Sequence, residues 1–346
     1  IHGSSIVEHA LSLLVCSRNG LYESDLLKMI CPKNWIFGES LPPIIWSRIY
    51  HAIEPYLSKR GQRRKDQGMI SISQRGFAKA VRRRYMSLDT PESVLFVRSR
   101  YKQLADFMLE FSGAKNYAHW NPIFEDETAH GRRHVIIAFR DIAYYQIRAL
   151  DIQGLRDATL GNLAFVEMAA RMDRNNADEI AGNVLLSLVH HYRSAMRVID
   201  TTPAAELEVA VEAAGTTRSE VVWWLQGMLD FIAQHEHELI CAPLLCLQKA
   251  LQQLDDSAPH VWAKEIILLE QLNIFDDDVN AYHAKSQRLM YCRWVNKPSL
   301  RLLDLSHGVL ASGGVCCASL GKDFEAVGLE NGDVVIMERS SGEIFN

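Results

Sequence analysis

The sequence predicts a mainly α protein in three parts, with a short antiparallel β segment at its C-terminal end. Three observations predict this class. Helix-forming segments precede a single β-branched stretch within residues 1–90. From residue 91 to residue 297, one amphipathic segment follows another across mostly short polar connections. In residues 298–346, β-branched runs alternate with glycine turns.

The first part, residues 1–90, has the order of elements that is typical of a winged helix. Asn19-Gly20 ends the first helix, and Pro32 ends the second, because the residue before a proline is disfavoured in helical geometry. Three helices followed by a strand-bearing wing give the winged-helix order. A second wing strand is expected near residues 59–66, where β character is low. The predicted helices are 5–18, 23–30, 42–58 and 74–85, and the predicted strand is 68–73.

The second part, residues 91–297, contains helix after helix, each with an apolar stripe that predicts one buried face. The connections are short except for the one at 112–133. Paired helices without a strict repeat length predict an irregular helical solenoid. The predicted helices are 99–111, 135–149, 152–172, 178–200, 204–214, 219–246 (long enough for two) and 259–272.

The third part, residues 298–346, predicts antiparallel strands at 315–320, 325–329 and 333–338. Asn331-Gly332 is a strong signal for a two-residue hairpin turn. The alternation of strands and polar turns resembles the first blade of a WD-repeat propeller, although the family's Trp-Asp pair is Met337-Glu338 here. Because one blade cannot close a ring, we expect the propeller, incomplete in this chain, to continue beyond Asn346.

Composition places the chain among ordinary globular proteins. Of its 346 residues, 48% are hydrophobic and 23% are charged. No apolar run reaches the roughly 18 residues that a membrane helix requires, so we expect no membrane contact.

Residues 1–100 carry a formal charge of +8 and the remainder −13, which indicates surfaces that face charged partners. The seven cysteines indicate reduced thiols and a cytoplasmic location, with the nucleus as the alternative.

The sequence lacks the common motifs for catalysis and cofactor binding. It contains no G-x-x-x-x-G-K-[ST] loop for nucleotide phosphates and no G-x-S-x-G elbow. His235 and His237 lie two residues apart, on different helix faces, although His237 and Cys241 share one face. The acidic run at 276–278 lacks the spacing of a calcium loop. We therefore expect no catalytic residue, metal site or cofactor in this chain.

The order of segments along the chain resembles that of a known family. The segments are ALSLLVCSRNGLYESDLLKMI (10–30), Trp46 to Leu57, GMISISQRGFAKAVRRRYM (68–86), RYKQLADFM (100–108) and DIAYYQIR (141–148). They are similar to the winged helix and following helices of NACHT/STAND-class NTPases with WD repeats, the telomerase-protein-1-like and nephrocystin-3-like group. The resemblance implies that a nucleotide-binding domain precedes Ile1, and that ATP or GTP binds there and not in this chain.

The same resemblance gives a meaning to Gln74. The family usually has a histidine at the start of the helix that follows the wing. In related proteins this histidine contacts a nucleotide phosphate. Gln74 stands in this position here, and its amide donates hydrogen bonds but carries no charge. The substitution argues against nucleotide sensing through this domain.

A basic patch is the remaining candidate site, and it includes the wing loop and the helix after it. A winged helix with a basic wing is one way to hold the backbone of a duplex. Against this, the second helix offers only Lys28 beside Glu23 and Asp25. A solvated face, or a face docked on an acidic domain, is therefore favoured over a nucleic-acid interface. The patch consists of Lys59, Arg60, Arg63, Arg64, Lys65, Lys79, Arg82, Arg83 and Arg84.

These observations lead to one hypothesis and two alternatives. The chain is interpreted as a non-catalytic regulatory and scaffold segment with protein partners. It relays a conformational change from an upstream NTPase domain, on which it docks, to a downstream propeller. The first alternative is a nucleic-acid-binding winged-helix module with a helical interaction arm. The second is a plain helical-repeat adaptor.

Overall fold

The computed structural model describes residues 4–31, 40–60, 69–111, 129–175, 184–273, 314–320, 324–329, 334–338 and 344–345. Within these ranges the chain is mainly helical, as the sequence predicts, with short antiparallel β elements. A helix suited to spanning a bilayer was not found among the described residues. The chain divides into two compact units, Ile1–Leu160 with Asn176–Arg218, and Gly161–Asn175 with Ser219–Asn346.

The N-terminal region of the first unit contains three helices, a β hairpin and a fourth helix, in the predicted order. These are α1 (Ser4–Cys16), α2 (Glu23–Met29), α3 (Pro43–Ile53), β1 (Leu57–Arg60), β2 (Met69–Ile72) and α4 (Arg75–Tyr85). β1 and β2 are antiparallel, and Ile70 of β2 also bridges Leu21 on its other side. β1, which carries Lys59 and Arg60, is therefore an edge strand that is held by its pairing with β2, despite low β propensity.

Each helix of this region buries part of its apolar stripe. Trp46 of α3 is 2% exposed, and its Nε1 donates a hydrogen bond to Glu23 Oε1 at 2.6 Å, which ties α3 to the first turn of α2. Leu13, Leu26 and Ile70 are also buried. The apolar stripes thus predict the buried face of these helices correctly.

The chain continues with α5 (Pro91–Phe111), α6 (Ala129–Ala149), α7 (Ile152–Asp157), α8 (Leu163–Asn175), α9 (Val184–Thr201) and α10 (Ala204–Ala213). All except α8 belong to the first unit. α1 packs on α4 and α5, while α6 packs on α5 and α9. α5 starts well before the predicted residue 99, because Thr90 Oγ1 accepts a hydrogen bond from the Ser93 backbone N–H at 3.3 Å and caps the new start.

The prediction of one helix over 152–172 is wrong. α7 ends at Asp157, and a new helix, α8, starts at Leu163. Asn162 Oδ1 accepts hydrogen bonds from the backbone N–H groups of Ala164 and Phe165, at 2.9 and 3.3 Å. An asparagine in this position starts a helix, since it satisfies N–H groups that have no partner within the first turn.

The second unit contains α8 and three later helices, α11 (Arg218–Cys241), α12 (Cys246–Leu251) and α13 (Ala258–Asn273). Pro243 lies between α11 and α12, within the segment predicted as long enough for two helices. A Cβ at Gly227 of α11 would lie 3.3 Å from Ala258 Cβ. The rings of Trp224 and Trp262 also lie near each other, 5.6 Å between centroids. A small residue at 227 therefore allows α11 and α13 to pack closely.

Four strands near the C-terminal end form an antiparallel sheet in the order β3-β4-β5-β6. β4 pairs with β5 from Phe324↔Glu338 to Gly328↔Val334. The three predicted strands are present, and a short fourth one follows them. Asn331-Gly332 and the other turns lie outside the described residues. The strands are β3 (Gly314–Leu320), β4 (Phe324–Leu329), β5 (Val334–Glu338) and β6 (Ile344–Phe345).

Candidate functional site

A partly buried polar cluster joins the turn after α1, where Arg18 is exposed, to buried side chains of helices α6 and α9 within the first unit. It contains Arg18 and Asn19 after α1, Asp141 and Tyr145 on α6, and His191 on α9. We call these five residues the Asp141 junction. Asp141 is 1% exposed and His191 is 3% exposed. Ionisable side chains are seldom buried without hydrogen-bond or charge partners. The cluster therefore joins the N-terminal region to α6 and α9 by polar contacts.

The turn after α1 fixes the position of Arg18 and Asn19. Gly20 has a φ of 99°, a conformation that favours glycine. Leu21 then exchanges two backbone hydrogen bonds with Ile70 of β2, at 3.0 and 2.8 Å. A Cβ at residue 20 would lie 2.7 Å from the Ile70 carbonyl oxygen, so the turn lies directly against β2. The Asn19-Gly20 pair thus ends α1, as predicted, and also aims two polar side chains at α6.

Asp141 receives donors from its own helix and from the turn. Asn19 Nδ2 donates to Asp141 Oδ2 at 2.7 Å, and Arg140 Nε and Arg18 Nη1 lie 3.4 and 3.7 Å from Oδ1. Burial raises the pKa of Asp141, while the hydrogen bond from Asn19 and the two arginines oppose this rise without cancelling it. The ionised carboxylate is therefore held in place against a solvation cost that its partners only partly offset.

His191 is a neutral acceptor in this cluster. Its Nε2 lies 3.0 Å from Arg18 Nη1. Burial, followed by the charges of Arg18, His190 and Arg140, lowers the pKa of His191 to about 3. Because a guanidinium nitrogen can only donate, Nε2 carries the lone pair and Nδ1 carries the proton. His191 Nδ1 is buried without a hydrogen-bond partner among the described residues.

Two tyrosines of α6 complete the surroundings of Arg18. The Arg18 guanidinium carbon lies 5.3 Å from the centroid of the Tyr144 ring, within the range of a cation–π contact. Tyr145 Oη accepts a hydrogen bond from the Arg18 backbone N–H at 3.2 Å, and burial raises the pKa of this tyrosine. The Tyr144 ring also meets Tyr101 of α5 edge-on, 6.4 Å between centroids. Arg18 is therefore the residue through which the turn contacts both α6 and α9.

Gln74 lies apart from the Asp141 junction, at the N-terminus of α4. Its side chain is exposed, and its Nε2 donates to the Pro55 carbonyl oxygen at 3.4 Å. This hydrogen bond connects the start of α4 to the turn before β1. Gln74 stays a prediction as a counterpart of the family's nucleotide-contacting histidine.

The predicted basic patch is described in part. Its helical members, Lys79, Arg82, Arg83 and Arg84, are all exposed on α4. Lys59 and Arg60 belong to β1. The wing-loop members Arg63, Arg64 and Lys65 lie outside the described residues.

The residues considered for a metal site lie on α11. Cys241 Sγ is 3.9 Å from His237 Nδ1, so the two share a helix face as their spacing predicts. His235 is bonded instead to Glu238 and Gln253, with separations of 3.0 Å in both cases. In the part of the chain that the structure describes, no three His, Cys, Asp or Glu side chains group in a way that could hold a metal ion.

The sequence motifs do not predict the Asp141 junction. The segment DIAYYQIR resembles a family pattern, and that pattern assigns no role to the carboxylate of its first residue, Asp141. Asp141 shares a helix face with buried Tyr145, four residues later. An acid within an apolar stripe indicates a buried partner, but the sequence does not identify Asn19 as that partner. No family model, curated protein or solved structure matches this chain.

Replacing Asp141 with asparagine is expected to remove a pH-dependent cost of folding. The folded pKa of Asp141 is raised, so its contribution to stability is fully present below the unfolded value of about 4 and is lost as pH rises through the folded pKa. Asparagine keeps an acceptor oxygen for Asn19 and does not ionise. Urea unfolding near pH 4 and near pH 7 should show that the variant gains stability relative to the parent as pH rises.

The matched control for this prediction is Glu212→Gln, which removes an exposed carboxylate from α10. Its stability relative to the parent should stay nearly constant over the same pH range. An equal gain in both variants would contradict the assignment, because it would reflect net charge and not the environment of Asp141.

Proposed function

We propose that this chain is a non-catalytic regulatory and scaffold segment of a nucleotide-switched signalling or assembly protein. In this proposal, the N-terminal region passes a conformational change to α6 and α9 through the Asp141 junction. The observation that carries it is the position of Arg18, which reaches Asp141 on α6 and His191 on α9 from a turn that Gly20 fixes. When such a turn moves, both helices must move with it or lose these contacts.

The other parts of the chain have roles consistent with this proposal. The order of α1 to α4, with the bridge between Leu21 and Ile70, supports interpreting the N-terminal region as a winged helix. The helices that follow are interpreted as an irregular helical arm, and β3 to β6 as one blade of a WD-repeat propeller. The expected intramolecular partners are an upstream NTPase domain, which binds ATP or GTP, and the remaining blades. The expected location is the cytoplasm.

Hydrogen exchange in the full-length parent protein tests this proposal. Added Mg-ATP or Mg-GTP is expected to change the exchange rates of amides in the turn after α1 and in α9 together, by about tenfold or more. In an Asp141→Ala variant, the amides of the turn should still respond to nucleotide, and those of α9 should respond much less. Glu212→Ala removes an exposed carboxylate and should respond like the parent.

Two results would contradict the proposal. The first is a full-length reading frame that encodes no phosphate-binding loop, which would favour the plain helical-repeat adaptor. The second is a response to nucleotide in the amides of the turn without any change in those of α9. This result would show that the Asp141 junction does not transmit the conformational change.

A further inference from the structure

Helix α4 presents four basic side chains on one exposed face. They are Arg75, Lys79, Arg82 and Arg83, which we call the α4 basic stripe. At about 100° per residue, all four lie within an arc of about 100°, and the buried Val81 lies on the other side of the helix. Members one turn apart are separated by about 6 Å along the helix axis. The stripe is therefore a continuous line of positive charge on the surface of the N-terminal region.

The charge of the stripe is not neutralised within the part of the chain that the structure describes. α4 itself contains no Asp or Glu. None of the four basic side chains takes part in an ion pair with a described residue. An unpaired line of cations attracts polyanions from solution.

The surface between these cations lacks the features of a protein-docking face. The other α4 residues nearest to the stripe are small, namely Gly76 and Ala78, and Gly76 is exposed. A Cβ placed on Gly76 would meet no atom within 4 Å. Protein interfaces concentrate their energy in aromatic and arginine anchors that fill well-packed, desolvated pockets, whereas the backbone of a nucleic acid is held mainly by positive charge. The composition of this face favours the second kind of partner.

The acids that argue against a nucleic-acid interface in the sequence are used inside the fold. Glu23 Oε1 accepts the hydrogen bond from Trp46 Nε1 at 2.6 Å, and Asp25 is 3% exposed. Neither carboxylate therefore forms a free acidic surface on α2. The exposed side of α2 instead carries Lys28.

We propose that the α4 basic stripe binds the phosphate backbone of a nucleic-acid duplex without reading its base sequence. Each phosphate that a cation neutralises releases bound counterions, so affinity should fall steeply as salt rises. Contacts to phosphates position a protein on a duplex but carry no sequence information. This activity is separate from the conformational relay and does not depend on it.

Fluorescence anisotropy with labelled duplexes and the full chain tests the proposal. Two DNA duplexes of unrelated sequence should bind with equal affinity at about 50 mM salt and much more weakly at about 200 mM. The triple variant Arg75→Gln, Lys79→Gln, Arg83→Gln should bind at least about tenfold more weakly, with a salt slope smaller by about 3. Arg82 is kept because its charge acts on the buried groups Cys16 and Tyr101. An RNA duplex in parallel identifies which nucleic acid is preferred.

The matched control is the triple variant Arg193→Gln, Arg197→Gln, Lys264→Gln, which removes three exposed cations from α9 and α13. It should bind like the parent, and circular dichroism should show the same melting temperature for both triple variants. Equal weakening in both would overturn the proposal, because binding would then follow net charge alone. Failure of the parent to bind any duplex at about 50 mM salt, or binding to poly-glutamate in place of a duplex, would also overturn it.

Discussion

Replacing Gly20 with alanine is expected to lower the free energy of unfolding by about 3 kcal/mol. The φ of 99° is strained for any residue with a Cβ, and the added Cβ would lie 2.7 Å from the Ile70 carbonyl oxygen. Because that oxygen belongs to the backbone of β2, the clash can be relieved only if the turn shifts. Such a shift breaks the hydrogen bonds between Leu21 and Ile70. Urea unfolding followed by circular dichroism measures the loss.

Gly76→Ala is the matched control for this substitution. Gly76 lies within α4, where an added Cβ meets no atom within 4 Å. Alanine is favoured over glycine in a helix by about 0.5–1 kcal/mol, so this variant should be slightly more stable than the parent. A Gly20→Ala variant within about 0.5 kcal/mol of the parent would show that the turn is not fixed in the way described.

Replacing Trp46 with alanine is expected to lower the free energy of unfolding by about 3–5 kcal/mol. The side chain is 2% exposed, and its removal leaves a cavity between α2 and α3 as well as a Glu23 carboxylate without its indole donor. Trp46→Phe keeps most of the apolar volume but lacks the N–H, so it should lose about 1–3 kcal/mol. Equilibrium urea unfolding of both variants separates the packing contribution from that of the hydrogen bond.

Trp223→Ala is the control for the removal of a large aromatic side chain. Trp223 lies on α11 and is 43% exposed. Its removal should lower the free energy of unfolding by only about 1–2 kcal/mol, less than for Trp46→Ala, since nearly half of the side chain is already in contact with water in the folded protein. Similar losses in Trp46→Ala and Trp223→Ala would contradict the core described for the N-terminal region.

The elements of the N-terminal region are predictable from sequence because their signals are local. Asn19-Gly20 ends α1, and the β-branched stretch after residue 68 forms β2. The early start of α5 depends on the mutual bonding of Thr90 and Ser93, a local signal that the apolar periodicity does not contain. Asn162 divides α7 from α8 in the same way. These helix boundaries are set by capping side chains and not only by the hydrophobic pattern.

The Asp141 junction is not predictable in this way, because its members are far apart in sequence. Arg18 meets Asp141 and His191 only after α6 and α9 have packed. Sequence alone shows an acid within the apolar stripe of α6 and two adjacent histidines, His190 and His191, on α9. Each of these side chains has many potential partners. The acids of α2 differ from the expectation in another way. The sequence suggests that Glu23 and Asp25 lie on the surface, but Glu23 is bonded to Trp46 and Asp25 is buried.

Hydrogen exchange of an Arg18→Ala variant of this chain tests the central claim most directly. The substitution removes the contacts of the turn with Asp141, His191 and the Tyr144 ring. It also leaves the Asp141 carboxylate less well compensated in its buried position. We predict that amides of α6 and α9 near these residues exchange at least about tenfold faster, together with those of the turn.

Arg193→Ala, which removes an exposed arginine from α9, should leave these exchange rates unchanged. Faster exchange confined to the residues beside Arg18, with α6 and α9 as protected as in the parent, would contradict the role of this junction in joining the N-terminal region to the helices.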